Sequence, residues 1–182
     1  MTSQDVILGI LMKKSHSGYD IKIVLESVFS YFYNASFGTI YPTLSKMEKE
    51  GLITKESVLQ EGRPNKNVYS ITDEGRNHFK GYMHSPIQPN EFKSDAMIRL
   101  YFGEFVEPEA TIKTLEFGIE KTQRALAELK HMYESCKANI SPTQEICILI
   151  GIENNESALR TLGRGLERLT NLKSGKEVRE RE

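Results

Sequence analysis

In the first 85 residues, the spacing of hydrophobic and polar positions predicts three consecutive helices. Apolar residues at positions 6, 7, 10 and 11 share one helix face and indicate the first helix. The second is expected to begin at Ser17, with Asp20 at capping-box spacing, and to bury the apolar residues at 21, 24, 25 and 28. The third is predicted to run from about 37 to 50, with Ser36 as its cap and Gly51 at its end.

Two extended segments follow the third helix, at 52–59 and 67–71, with turn-forming residues between them. β-rich runs on either side of Gly and Pro predict a hairpin, and a fourth helix is expected to open at Thr72. Arg63 and Lys66 are predicted to lie at the tip of this hairpin. Two interpretations of these side chains stay open: they contact DNA phosphates or the minor groove, or they belong to a charged turn that is simply solvated. Three helices, a hairpin and a closing helix form the element order of a winged helix.

From position 108 onward, the apolar residues fall at alternating spacings of three and four, which is the pattern of a helical seam. A second long helix is predicted to begin after Ser141, with Pro142 at its first position and Gln144 completing a capping box. Asn155 is the polar member of its seam, and it is expected either to meet a polar partner across the seam or to face solvent.

Two long helices joined by a short turn predict an antiparallel hairpin. Such a hairpin leaves its core partly uncovered, so a homodimer is expected. The seam residues predicted to form the dimer interface, in part by packing within one chain, are Ile112, Leu115, Ile119, Leu126, Leu129, Ile148, Ile152, Leu159, Leu162, Leu166 and Leu169.

The predicted fold class is mainly α with a small β-hairpin wing. An N-terminal winged helix-turn-helix at 1–85 is expected to bind DNA, and an α-helical dimerisation domain at 86–174 follows, with a charged tail at 175–182. The boundary is placed at 85–90 because Pro86 and Pro89 interrupt any helix there.

Composition changes this picture little. The chain is 38% hydrophobic and 27% charged, which is ordinary for a soluble globular protein. Its longest apolar run, at 146–152, is too short for a membrane span, and the N-terminus lacks the features of a secretory signal. We therefore expect a cytoplasmic protein without a membrane partner, in which Cys136 and Cys147 are reduced thiols in the helical core.

Net charge argues neither for nor against a nucleic-acid partner. Residues 1–85 contain ten Lys and Arg against nine Asp and Glu, for a net charge of +1. The remaining 14 against 16 give −2. Any basic footprint on DNA must therefore be local rather than global.

The third predicted helix has two different faces. Projected at about 100° per residue, the residues at 40, 44 and 47 form an apolar face, and small, hydroxyl and lysine side chains form the other. Small groups near bases and lysines near phosphates suit a helix that enters the major groove, with Tyr41 flanking it. Pro42 is expected to remove a hydrogen bond to Gly38 and to distort the helix. The alternative is an ordinary solvated helix face.

Several motifs in this half carry a family resemblance. ILGIL at 7–11, SGYDI at 17–21, GTIYPTLSKMEKEGLI at 38–53, RP at 63–64 and VYSITDEG at 68–75 resemble the PadR-like transcription regulators. The resemblance covers residues 5–80, and the helical half is similar in architecture to the longer, virulence activator-like members. It implies a homodimer that binds a double-stranded DNA operator and represses transcription, often until a small-molecule effector relieves it; activation by the same fold stays open.

The helix face, the hairpin and the resemblance together give one set of candidate DNA contacts. They are Tyr19, Lys22, Ser36, Gly38, Thr39, Tyr41, Pro42, Ser45, Lys46, Lys49, Arg63 and Lys66.

An apolar stripe precedes the long helices. Met97, Tyr101, Phe102 and Phe105 are expected first as core residues and second as the lining of an effector cavity between the two halves. Some regulators of the resembling family hold flat drugs against a tryptophan, and this chain has none.

Two other classes of function compete with transcription regulation. No histidine stands at metal-ligand spacing or within a nucleophile motif, and no glycine-rich phosphate loop occurs, so we expect no catalysis, cofactor or metal. A winged helix that contacts only other proteins is the second alternative. The salt dependence of binding to duplex DNA would distinguish it, because phosphate contacts release counterions.

Overall fold

A computed structural model describes residues 1–29, 33, 37–60, 63–90 and 92–179. The chain divides into two compact units, Met1–Asn90 and Glu91–Glu182. Among the described residues, no helix is both long and apolar enough to cross a membrane. The elements of the first unit are α1 (Ser3–Leu11), β1 (His16–Ser17), α2 (Gly18–Val24), α3 (Ile40–Lys49), β2 (Ile53–Gln60), β3 (Arg63–Ile71) and α4 (Asp73–His84).

Capping boxes open the first two helices. In the predicted box of α2, the Ser17 hydroxyl accepts a hydrogen bond from the backbone N–H of Asp20 (3.1 Å), and the Asp20 carboxylate accepts one from the N–H of Ser17 (3.2 Å). Thr2 and Asp5 form an equivalent box on α1, which was not predicted from the sequence. Each box satisfies backbone N–H groups that the first helical turn leaves without partners.

The second helix continues beyond α2 as a π-helical turn, Leu25–Phe29. Ile21 and Leu25 are buried as predicted, but Val28 is 40% exposed, and Phe29 packs against the core instead. A π-helical turn contains more residues than an α-helical one, so the inward position moves along by one residue. The expected burial of Val28 is therefore wrong.

The predicted hairpin belongs to a three-stranded antiparallel sheet with the order β1-β3-β2. The strand added to the hairpin is the two-residue β1, in which His16 pairs with Tyr69 and Ser17 pairs with Val68 of β3. A strand of two residues has no hydrophobic periodicity, so the sequence pattern did not indicate it. As predicted, Gly51 ends the third helix, with a positive φ of 72° that favours glycine.

One hydrophobic core unites the helices and the sheet of the first unit. All the residues of the apolar face predicted for the first helix belong to this core. Its buried members are Val6, Ile7, Leu8, Ile10, Leu11, Ile21, Leu25, Ile40, Leu44, Met47, Leu52, Ile53 and Tyr69.

The second unit contains α5 (Asp95–Tyr101), a 3-10 turn at Gly103–Phe105, α6 (Pro108–Cys136) and α7 (Pro142–Arg179). The predicted capping box opens α7, because the Ser141 N–H donates to Gln144 Oε1 (3.0 Å) and the Gln144 N–H donates to Ser141 Oγ (3.3 Å). Contacts between α6 and α7 pair the start of one helix with the end of the other, so the predicted antiparallel hairpin is confirmed.

Leucines of each long helix pack against glycines of the other. A methyl group built on Gly151 would lie 3.3 Å from Leu129 Cδ1, and one built on Gly118 would lie 3.5 Å from Leu162 Cδ1. Lys130–Glu156 and Lys173–Glu109 ion pairs, both 2.7 Å, connect the helices at their edges. The seam residues thus pack partly within one chain, and most of them stay half-buried.

Two expectations for polar and sulfur groups in the hairpin differ from the structure. The Asn155 amide donates to the Gly151 carbonyl of its own helix (2.7 Å) rather than to a residue of α6. This is the local i−4 bond that short polar side chains make in helices. Both cysteines are free, Cys136 is half-buried and Cys147 is exposed, so the predicted core position is wrong for Cys147.

Candidate nucleic-acid interface

The two faces of α3 are those predicted from the sequence. Ile40, Leu44 and Met47 are buried in the core of the first unit. The opposite side, which we call the outer face, carries no large aliphatic side chain. Its exposed residues, together with those of the preceding turn, are Gly38, Thr39, Tyr41, Pro42, Ser45, Lys46 and Lys49.

The beginning of α3 differs from the prediction. Phe37–Thr39 form a 3-10 turn, α3 begins at Ile40, and Thr39 occupies the N-cap position expected for Ser36, which lies outside the described residues. Pro42 is therefore the third residue of the helix, within the first turn, where backbone N–H groups have no intrahelical acceptor. Proline is compatible with a first helical turn, and the segment that departs from the predicted α-helix is the 3-10 turn just before α3; the predicted loss of a hydrogen bond to Gly38 stays a prediction.

Tyr41 joins the outer face to the start of α2. Its ring lies against Gly18, where a side-chain methyl would come within 2.7 Å of Tyr41 Cε1. The ring is still 57% exposed, and Tyr19, the next residue of α2, is also exposed. Lys22 forms an ion pair with Glu26 one turn later (3.5 Å). Two tyrosines from different helices thus flank the same part of the first unit.

The wing is the β2–β3 hairpin. Gln60 and Arg63 form the last backbone pair before the turn, so Arg63 is at the tip as predicted, although its side chain lies outside what the structure describes. Lys66 pairs with Val58 within the ladder, and its ammonium lies 3.1 Å from Asp20 Oδ2. The tip position predicted for Lys66 is wrong, because β3 begins at Arg63 and includes it.

An irregularity in the ladder lies beside the tip. The register shifts between Val58 and Gln60, where Leu59 lies opposite two residues of β3, at positions 64 and 65, so the extra residue of the bulge is on β3. The Leu59 side chain is 83% exposed. Leu59 is thus an exposed apolar side chain next to the wing tip, where the bulge interrupts the ladder.

Ion pairs keep the charge of this region balanced. Lys46 lies 3.6 Å from Glu50, and Lys55 lies 3.2 Å from Glu48. Hydrogen bonds from the Ser17 side chain, and then from Lys66, lower the pKa of Asp20 to about 2, so Asp20 stays negative at neutral pH. Burial is the largest cause that lowers the pKa of His16. Lys46, Lys55 and Lys66 thus each lie beside a carboxylate, so their charges are balanced locally.

The sequence and the fold both match known regulators. The family model for the transcriptional regulator PadR-like family matches residues 7–81. The negative transcriptional regulator PadR of Bacillus subtilis (strain 168) is 31% identical over 138 residues, which are 75% of this chain and 75% of that protein. The chain belongs to the PadR-like family of transcriptional regulators.

Solved structures extend the similarity to the helical half of this PadR-like chain. The PadR-like regulator BC1756 from Bacillus cereus is 40% identical, with a TM-score of 0.86 over 93% of this chain and 99% of that one. Bacillus subtilis PadR in complex with operator DNA is 26% identical, with a TM-score of 0.78 over 91% and 98%. The same protein with p-coumaric acid is 25% identical, with a TM-score of 0.71 over 92% and 98%.

The aromatic stripe of this PadR-like chain is exposed within the second unit. Tyr101 and Phe105 are 79% and 75% exposed, and Met97 and Phe102 are also exposed. The expectation that the stripe is core is therefore wrong for a single chain. The rings of Tyr101 and Phe102 meet edge-to-face with centroids 5.0 Å apart, and Phe105 lies 6.5 Å from Phe102.

Three residues beside the candidate contacts of this PadR-like chain were not predicted from the sequence. Gly18 supports Tyr41, Leu59 projects beside the wing tip, and Asp20 binds Lys66. Asp20 was recognised only as a capping residue. No local pattern connects it to a lysine 46 positions later (66 − 20), because only the tertiary fold brings α2 and β3 together.

Proposed function

We propose that this chain is a homodimeric repressor that binds a specific duplex operator and releases it when a small molecule binds. The observation that carries the proposal is the outer face of α3. It presents small, hydroxyl and lysine side chains on a helix whose other face is anchored in the core. A helix fixed in this way can be inserted into a major groove without rearranging the fold.

Each group has a role that its chemistry suits. Thr39 and Ser45 offer hydroxyls to base edges, whereas Lys46 and Lys49 offer charge to phosphates. The Tyr41 hydroxyl is positioned to donate a hydrogen bond to a phosphate of the DNA backbone. Further phosphate contacts come from Tyr19 and Lys22 at the start of α2, and Arg63 extends the footprint from the wing toward an adjacent groove.

The relatives support repression and operator binding. The Bacillus subtilis relative is a negative transcriptional regulator, and one of its structures contains operator DNA. Because of that similarity, we propose that this chain also represses transcription. A repressor of this kind requires no catalysis and no cofactor, and we propose that it acts in the cytoplasm.

The second unit supports dimerisation. The seam of α6 and α7 is half-buried over most of its length, so part of its apolar surface is available to a second copy. Phe117, Ile146 and Ile150 add exposed apolar groups on the same two helices. We propose that a second copy covers these residues together with the open part of the seam.

The exposed aromatic stripe is the proposed effector contact. Contacting rings suit stacking against a flat aromatic ligand, and p-coumaric acid, which one structure of the Bacillus subtilis relative contains, is such a molecule. Binding of p-coumaric acid to the wild type and to Tyr101→Ala, measured by isothermal titration calorimetry, tests this assignment. Equal binding by both proteins contradicts it.

Fluorescence anisotropy with duplexes tiling the DNA upstream of the protein's own gene tests DNA binding itself. We expect one duplex to bind at least a thousandfold more tightly than a shuffled one, with affinity that falls steeply with salt. A protein that binds no duplex in low salt has a different function. Salt-independent capture of a protein partner by such a chain would favour a protein-interaction module.

A further inference from the structure

One carboxylate oxygen links the start of α2 to the wing. Asp20 Oδ2 accepts hydrogen bonds from the Ser17 N–H (3.2 Å) and the Ser17 hydroxyl (2.7 Å), and it lies 3.1 Å from the Lys66 ammonium. The side chains of Asp20 and Lys66 are 38% and 41% exposed, so both charges lie at the surface. Asp20 therefore has two separable roles, as a helix cap and as an anion.

The cap does not require the negative charge. Ser17 donates to a single oxygen of Asp20, and the amide oxygen of an asparagine accepts the same bonds. Docking of α2 on the sheet does not require it either, because β1 is already held to β3 by the His16–Tyr69 and Ser17–Val68 pairs. The charge acts instead on Lys66 and on any anion that approaches this surface.

The surroundings of this charge are the proposed DNA contacts. Asp20 follows Tyr19 in α2, and Gly18, two residues before Asp20, lies against Tyr41. The pKa of Asp20 is about 2, so the carboxylate is ionised under all conditions in which the protein would meet DNA. A permanent anion here repels phosphate and keeps the charge of the wing lysine neutralised.

We propose that Asp20 is a positioning residue that withholds Lys66 from the DNA backbone and thereby reduces the phosphate contacts by one. The inference rests on the proposed function. Effectors commonly change an affinity between about 5- and 150-fold. One further phosphate contact strengthens binding by about five- to tenfold at moderate salt, which would offset much of that change. Asp20 thus keeps the affinity for DNA low enough for an effector to cause release.

A double-mutant cycle on a random-sequence duplex tests this inference. The affinities of the wild type, Asp20→Asn, Lys66→Met and the double variant are measured by anisotropy from low to high KCl. Asp20→Asn should bind about five- to tenfold more tightly and steepen the log–log salt slope by about 0.9. Lys66→Met alone should leave the slope nearly unchanged, and in the double variant most of the gain should disappear.

Two controls separate this effect from others. Glu120→Gln removes one negative charge from an exposed Glu120–Arg124 pair in the second unit and should leave the slope unchanged. Lys49→Met, on the outer face of α3, should reduce the slope by about 0.9, which calibrates the loss of one contact. Melting curves for each variant verify that the fold is intact.

Three results would overturn the inference. They are an unchanged slope in Asp20→Asn, a gain that persists fully in the double variant, or an equal gain in Glu120→Gln. If Asp20→Asn does not fold, Lys66→Met is compared with Lys49→Met instead. Equal losses of salt slope in these two variants would mean that Lys66 already contacts phosphate, which contradicts the inference. If the wild type binds no duplex at any salt concentration, the proposed function fails, and this inference fails with it.

Discussion

The ring of Tyr41 rests on Gly18, and the contact leaves no space for even a methyl group, whose carbon would lie 2.7 Å from Tyr41 Cε1. On the same side, Leu44 Cδ1 lies 3.5 Å from that position. Leu44 is buried and fixed, whereas Tyr41 is more than half exposed and can move outward. A side chain at residue 18 would therefore displace the tyrosine and leave the core in place.

Gly18→Ala is expected to weaken DNA binding about as much as Tyr41→Ala does. The free energy of unfolding should change by less than about 0.5 kcal/mol, because the group that moves is a surface side chain. Anisotropy and thermal denaturation measure the two quantities. The matched control is Gly81→Ala on α4, where a methyl group meets nothing within 4 Å, and DNA binding should be retained there. Full affinity in Gly18→Ala would mean that the position of Tyr41 does not matter for DNA.

Substitutions on the outer face of α3 should separate base contacts from phosphate contacts. Tyr41→Ala and Lys46→Ala should weaken binding to all duplexes by similar factors, because a phosphate carries no sequence information. Thr39→Ala should instead cost about 1–3 kcal/mol on the preferred duplex only, if its hydroxyl reads a base. Affinities for a panel of single-base operator variants distinguish these patterns. Normal binding by all three proteins would remove α3 from the groove.

Gly75→Ala should destabilise the first unit by about 1–3 kcal/mol, as overpacking does. A methyl group on Gly75 would overlap the Leu52 carbonyl oxygen, which already accepts a hydrogen bond from the Thr72 N–H (3.1 Å). Backbone cannot move aside as the Tyr41 ring can. Gly81→Ala, in the same helix, should be stabilising by about 0.5–1 kcal/mol, since alanine favours helix. Urea denaturation of both variants gives the comparison, and equal stability would contradict the overlap at Gly75.

Local sequence patterns were sufficient for most elements of the fold. The apolar spacing at 6–11, the capping pairs Ser17–Asp20 and Ser141–Gln144 and the alternation before Thr72 each act over a few residues. Helix boundaries, caps and turns depend on this short range, so the sequence contains them directly. The buried face of α3 was predictable for the same reason. The outer face is then the side of the helix that points away from the core.

The remaining features depend on contacts between residues that are distant in sequence. β1 exists because His16 and Ser17 pair with β3, and the position of Lys66 depends on where that strand begins. Tyr101 and Phe105 have the hydrophobicity of core residues, yet both are largely exposed in the single chain. Hydrophobicity alone predicts that an aromatic residue will be covered, and it does not say whether the same chain or another molecule covers it.

Asn155→Leu should raise the melting temperature without changing the oligomeric state. Its amide donates a hydrogen bond to the Gly151 carbonyl within α7, so the substitution removes a bond within one helix rather than one between α6 and α7. Leucine is a better helix former than asparagine, by about 0.5 kcal/mol, and it fits a half-buried seam position. Thermal denaturation and light scattering measure the two outcomes. Mixed oligomers in the variant would show that Asn155 sets the alignment of two copies.

The pH dependence of stability should reveal the Asp20 carboxylate. Its pKa in the folded protein is about 2, against 3.8 for an unperturbed aspartate, so the folded state favours the ionised form. The resulting stabilisation is complete above about pH 4 and is lost as the pH falls toward 2. The difference in melting temperature between the wild type and Asp20→Asn should therefore be constant from neutral pH to about pH 5 and shrink below pH 4.

Two further variants separate the causes of this shift. The Ser17 side chain contributes most to lowering the pKa of Asp20, and Lys66 contributes less. Ser17→Ala should consequently weaken the dependence on pH below 4 more than Lys66→Met does, and an NMR titration of the Asp20 carboxyl carbon should give the same order. The opposite order would mean that the ion pair, rather than the capping box, holds the charge on Asp20. In that case Lys66→Met would also perturb the α2 cap, which melting curves at neutral pH would detect.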